Sequence, residues 1–106
     1  MEGYLKKWVN YLSGYKQRYF IIQHDILTYF EEKGSPVKGV ISLKIANIHD
    51  DPSDALKIII HTGTDEIILK AESTGAKMRW LSALREGQRS ILVEEEKKNY
   101  PEKEIK

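Results

Sequence analysis

Apolar residues recur at every second position through most of this chain and then, after Ser73, at every third or fourth. That change of period limits the fold more than any other feature. Alternation belongs to half-buried strands, and the longer step to one face of a helix. Residues 3–9 and 16–23 read as two strands rich in aromatic and β-branched side chains. His24-Asp25 turns into a third, Ile26 to Glu31, with Leu27 and Tyr29 on one face. Lys33-Gly34-Ser35-Pro36 breaks the pattern as a loop. Lys38 to Leu43 is a fourth strand with Ile41 and Leu43 inward, and Ala46 to His49 a short fifth. After Asp50-Asp51-Pro52-Ser53-Asp54 come Leu56 to His61 and Glu66 to Ala71, joined by Thr62-Gly63-Thr64-Asp65.

Ser73 is a natural helix N-cap, and Lys77, Trp80, Leu81, Leu84 and Gln88 then form one helical stripe running at least to about Arg89. Ile91 and Leu92 can extend it, whereas Asn99-Tyr100-Pro101 and the charges after it read as a frayed end. Residues 1–90 are therefore expected as one domain, and 91–106 as a helix extension or charged linker. The predicted fold is mainly β: a seven-stranded, bent antiparallel sandwich or barrel capped by one C-terminal α-helix. Trp80 and Leu84 plug one end and leave the other accessible. A chain of 106 residues is long enough for one such core.

The net charge is only +1, which argues against coating nucleic acid by bulk charge. The distribution is less even: Lys6, Lys7, Lys16 and Arg18 face only Glu2 in the first 18 residues. Cysteine is absent, so disulfides and thiolate metal sites are excluded. No apolar run approaches the ~18 residues of a membrane span, and Met1-Glu2-Gly3 leads straight into a strand pattern rather than a signal peptide. His24, His49 and His61 lack ligand-like spacing, and His49 with Asp50-Asp51 reads as a solvated turn. No Ser-His-Asp set has motif context, and the glycine loops are too short to cradle a nucleotide. No enzyme, cofactor or metal site is expected.

The functional stretch is K-W-V-N-Y-L-S-G-Y-K-Q-R, Lys7 to Arg18. Read as a hairpin with its tip near Leu12 and Ser13, it sets Lys7 opposite Arg18 and Val9 opposite Lys16. Alternation gives one face that begins apolar (Leu5, Phe20, Ile22) and turns basic toward the tip (Lys7, Lys16, Arg18). Basic residues on a hairpin are ordinarily a solvated surface. Here, however, the tip itself carries Tyr11, Leu12 and Tyr15, where no core is within reach. Aromatics with a polar handle favour the water–lipid boundary, so cations around an apolar tip point to a peripheral membrane contact.

These residues resemble a pleckstrin homology domain over roughly residues 2–89. The carrying strings are M-E-G-Y-L-K-K-W-V-N-Y-L-S-G-Y, K-Q-R-Y-F, I-L-T-Y-F, K-G-V-I-S-L with A-N-I, and M-R-W-L-S-A-L in the helix. Within that fold the chain is most similar to the group of oxysterol-binding proteins, ceramide-transfer proteins and four-phosphate adaptor proteins. The resemblance implies a module that reads phosphatidylinositol 4-phosphate on Golgi and trans-Golgi membranes, in proteins of lipid transport. The protein is then cytoplasmic, peripheral and monomeric. The family's basic motif falls on Lys7, Lys16 and Arg18, with Arg18 the central phosphate ligand, and the residue before the fourth-strand glycine falls on Lys38. Its membrane wedge falls on Asn10, Tyr11, Leu12, Ser13, Gly14 and Tyr15. Related domains also bind an Arf-type small GTPase, and a protein-interaction role without lipid is the competing reading. Two departures stand out: Tyr19 occupies the family's usual tryptophan position, read as a packing change, and the loop from Glu31 to Val37 carries two acids.

Overall fold

The computed structural model describes residues 1–105, with side chains through Arg89. Seven strands run β1 (Glu2–Asn10), β2 (Gly14–Gln23), β3 (Ile26–Phe30), β4 (Val37–Ser42), β5 (Asn47–Asp50), β6 (Lys57–His61) and β7 (Glu66–Lys70). A 3-10 turn, Leu43–Ile45, separates β4 from β5, and helix α1 spans Thr74–Ile105. The strands form one antiparallel sheet in the order β4-β3-β2-β1-β7-β6-β5, open between its edges β4 and β5. The mainly β, helix-capped architecture expected from the periodicity is the one formed. Element ends differ slightly: Glu31 lies beyond β3, Leu43 turns into the 3-10 segment, and β5 begins at Asn47. Past the expected boundary at residue 90, helix α1 continues to Ile105.

Alternation decides what is buried. Leu5, Phe20, Ile22, Leu27, Ile41, Ile58, Ile60, Ile67 and Leu69 come from every second strand position and line one core. The helical stripe meets them with Trp80, Leu81 and Leu84, each contributing about 1.5–3 kcal/mol by leaving water. Ser73 caps the helix, its Oγ accepting the Ala76 N–H at 3.0 Å. The two polar stripe residues have polar partners of their own. Lys77, 4% exposed, reaches the Asp50 carboxylate at 2.5 Å and the Asp54 carbonyl at 3.1 Å. The Gln88 amide donates to the Leu43 and Ala46 carbonyls at 2.9 and 2.8 Å. Gly87 lets the helix close on the β2–β3 turn, since a Cβ there would meet the His24 carbonyl oxygen at 2.8 Å. His24 itself carries the turn with φ +55°. The helix therefore closes the end of the sheet where β2 finishes, and the β1–β2 tip projects from the other.

One close approach in the sheet matters for that tip. The Tyr29 ring stacks on Phe20 with centroids 5.4 Å apart and lies over the β4 backbone at Gly39. A Cβ on Gly39 would fall 2.4 Å from the ring. We expect Gly39→Ala to cost about 1–3 kcal/mol, the range for overpacking a filled site, read as a lower midpoint in urea denaturation. An unchanged midpoint would show that Tyr29 swings aside freely.

Candidate functional site

The hairpin register differs from the expected one. Lys7 stands opposite Lys16, Leu5 opposite Arg18, and Trp8 opposite Tyr15. Asn10 and Gly14 close the turn, and Val9 is an extra residue that shifts the ladder between Trp8 and Asn10. The Asn10 Oδ1 accepts the Ser13 N–H at 2.8 Å, and Gly14 takes φ +66°, a left-handed position suited to glycine. The observed pairing differs from the expected one by two positions. A shift of two restores the same face, so Lys7, Lys16 and Arg18 still share a side with Leu5 and Phe20.

Two lysines directly opposite one another, with an arginine two pairs further along the same face, are unfavourable in a sheet. None of Lys7, Lys16 and Arg18 is ion-paired with an acid among the described residues. Lys7 is half-buried, its Nζ 5.4 Å from the Tyr29 ring centroid and 3.4 Å from the Trp8 carbonyl oxygen. Its pKa is lowered, first by burial and then by the charges of Arg18 and Lys38. Three of the four predicted cations, Lys7, Arg18 and Lys38, therefore share one field. They do not share one pocket. Lys7 lines a cleft of about 670 Å³ beside Tyr29, Gly39, Ile41 and Ile67. Arg18 donates to the Gln17 carbonyl at 3.0 Å and lines a recess of about 290 Å³ with Tyr4, Glu31 and Glu32. Lys16 is exposed, and Lys38 pairs with Glu31 at 3.3 Å.

The predicted wedge segment projects as an exposed tip. Leu12 is 100% exposed and Tyr11 95%, so neither packs on the core. Tyr15 lies edge-on to Trp8 at 5.3 Å, and Trp8 to Tyr11 at 5.6 Å. Trp8 is the residue that sequence reasoning missed here, because the two-position register difference hid its pairing with Tyr15. Tyr29 was also missed as the aromatic floor under Lys7. Its signal was the cross-strand glycine, Gly39, that faces it.

The β3–β4 loop is held from below. Tyr19 lies edge-on to Tyr4 at 4.9 Å and close to Phe30 at 6.4 Å, the Lys33 N–H donates to the Tyr4 hydroxyl at 3.2 Å, and Lys33 Nζ lies 5.9 Å from the Tyr19 ring. Tyr19 does more than fill space. Its hydroxyl donates to the Glu2 carboxylate, which pushes its pKa up to about 12 with help from burial. Elsewhere, His49 and His61 are neighbours across β5 and β6, with ring centroids 5.2 Å apart and His61 3.1 Å from Glu66. Among the described residues no group of three or more His, Cys, Asp or Glu side chains is arranged to hold a metal ion. No helix among them is long and apolar enough to cross a membrane.

Comparison with known proteins fits this geometry. Human pleckstrin homology domain-containing family A member 3 is 34% identical over 110 aligned positions, which cover 99% of this chain and 35% of that protein. The chain thus spans about a third of this relative's length. The human oxysterol-binding protein-related protein 11 PH domain superposes with a TM-score of 0.76 at 22% identity, covering 84% of this chain and 79% of that one. The Slm1 PH domain, solved with inositol 4-phosphate, superposes with a TM-score of 0.69 at 19% identity, covering 83% and 94%. PH domains are generally non-catalytic binding modules. With the PH-domain family model matching residues 1–89 and the seven-stranded, helix-capped sheet in place, the chain belongs to the pleckstrin homology domain family.

Proposed function

We propose that this domain attaches its protein to phosphoinositide-bearing membranes, reading phosphatidylinositol 4-phosphate with Lys7, Lys16 and Arg18 and inserting the tip from Asn10 to Tyr15. The observation that carries the reading is the unneutralised opposition of Lys7 and Lys16 beside Arg18. Burial first, and then the charges of Arg18 and Lys38, lower the Lys7 pKa; a phosphate beside Lys7 offsets that cost, and arginine can hold it through two parallel bonds. The Slm1 domain, solved with inositol 4-phosphate, supports a phosphorylated inositol headgroup as the ligand class. We further propose Golgi membranes as the target and an Arf-type small GTPase as a second partner, as the resemblance to the oxysterol-binding and four-phosphate adaptor group implies.

The test is vesicle co-sedimentation. The domain is expected to pellet with phosphatidylinositol 4-phosphate vesicles in preference to 3,4- or 4,5-bisphosphate vesicles. Equal or tighter bisphosphate binding would reject that preference, and attachment to a protein partner without any phosphoinositide would favour the protein-interaction reading.

Arg18→Ala should weaken phosphoinositide binding by at least about 2 kcal/mol, the scale for removing one partner of a close charge pair. Stability should hardly change, because rim charges add little to folding. Titration against vesicles and thermal melting measure the two. Unchanged affinity would move the site elsewhere.

The tip supplies a separate share. Three cations near an anionic surface contribute about 3 kcal/mol together, and one large apolar side chain buried in lipid about 1.5–3 kcal/mol. Leu12→Glu is therefore expected to abolish most vesicle binding while soluble inositol 4-phosphate still binds and the melting temperature holds, since Leu12 touches nothing in the core. Parallel loss of headgroup binding and stability would instead make the tip a structural staple.

A further inference from the structure

Glu31 stands at the junction of two recesses. On one side it lines the depression of Arg18 with Tyr4, Gln17 and Glu32. On the other it lines the depression of Lys38 with Ser35, Pro36 and Val37, a space of about 340 Å³. Its Oε1 is 3.3 Å from Lys38 Nζ. We propose that Glu31 is the specificity-determining residue of the headgroup site: it neutralises Lys38 and places a carboxylate beside Arg18, so the site accepts one phosphate and rejects an adjacent second one. This inference rests on the phosphoinositide reading given above.

The position of Glu31 is set by the fold on both sides. The ladder between β3 and β4 shifts where Tyr29 pairs with Gly39 and Phe30 with Val37, leaving Lys38 as the extra residue. A bulge of this kind re-aims the side chain it carries. The loop is turned by the Ser35 N–H donating to the Glu32 carbonyl at 3.0 Å and by Gly34 at φ +90°. It is seated on Tyr4 and Tyr19 through Lys33.

Charge then separates the ligands. A monophosphate held by Lys7, Lys16 and Arg18 needs nothing from Lys38. A vicinal second phosphate finds Lys38 already paired and the Glu31 and Glu32 carboxylates facing it across the Arg18 recess. Like-charge juxtaposition of this kind discriminates by repelling the wrong ligand rather than by improving the right one. The pair is solvent-exposed, with side chains 63% and 44% accessible. It therefore contributes little to folding, and its removal leaves the domain intact.

The experiment uses phosphatidylcholine vesicles carrying phosphatidylinositol 4-phosphate or the 4,5-bisphosphate at equal mole fraction, with plain phosphatidylcholine as the baseline. Glu31→Gln should raise bisphosphate affinity at least about fivefold while monophosphate affinity changes less than about twofold. The double variant Glu31→Gln with Lys38→Gln should return bisphosphate binding close to the wild-type value. Glu86→Gln, the same charge change on the helix, should alter neither. Equal gains on both lipids, a gain reproduced by Glu86→Gln, or a gain that survives loss of Lys38 would each overturn the proposal. If wild-type protein binds neither phosphoinositide above the baseline, it is the phosphoinositide reading that fails first, and the selectivity proposal falls with it.

Discussion

Everything at the functional end depends on how the other end is closed. Seven short strands in an open sheet expose their shared apolar face unless another element covers the mouth, and α1 does so with Trp80, Leu81 and Leu84. The docking is made specific by polar ties rather than by hydrophobic contact alone. Lys77 holds the β5–β6 loop through Asp50 and Asp54, and Gln88 holds the 3-10 turn through two carbonyls. With that end fixed, the β1–β2 tip is free of packing duties. It can carry side chains such as Leu12 and Tyr11 that do not pack on the core.

The site itself is assembled by tolerating an unfavourable arrangement. Lys7 and Lys16 oppose one another in the ladder, and burial together with Arg18 and Lys38 works against the charge on Lys7. The stacked pair of Phe20 and Tyr29 supports Lys7 from the core side, so the strain sits on a rigid base. That base exists because Gly39 leaves the ring room to lie on β4. Packing and electrostatics thus meet at one residue. A change in the core beneath Tyr29 is felt by the cation above it.

Tyr19 shows how one buried ring can seat a neighbouring loop. Its hydroxyl binds the Glu2 carboxylate and its ring supports Tyr4 and Lys33. The acidic loop above is consequently seated on β1 and β2 as well as joined to β3 and β4. Its two carboxylates line the recess beside Arg18.

The sequence by itself determined the strands, the helix, the inward residues and the basic face, because each follows from a local period. Even the hairpin faces were legible despite a register two positions away. Centring the tip between Leu12 and Ser13 displaced the pairing by one position, and the extra residue Val9 displaced it by another in the same sense. Two such shifts cancel in a pattern of period two, so Lys7, Lys16 and Arg18 kept their side. What the period cannot encode is a partner across the fold. The pairing of Trp8 with Tyr15 depends on the exact register, and the meeting of His49 with His61 on how β5 lies against β6. The Lys38–Glu31 contact and the division of the cations among separate recesses depend on a bulge and a loop held by distant aromatics. Tertiary structure decided these because they are set by distances between segments that no local pattern contains.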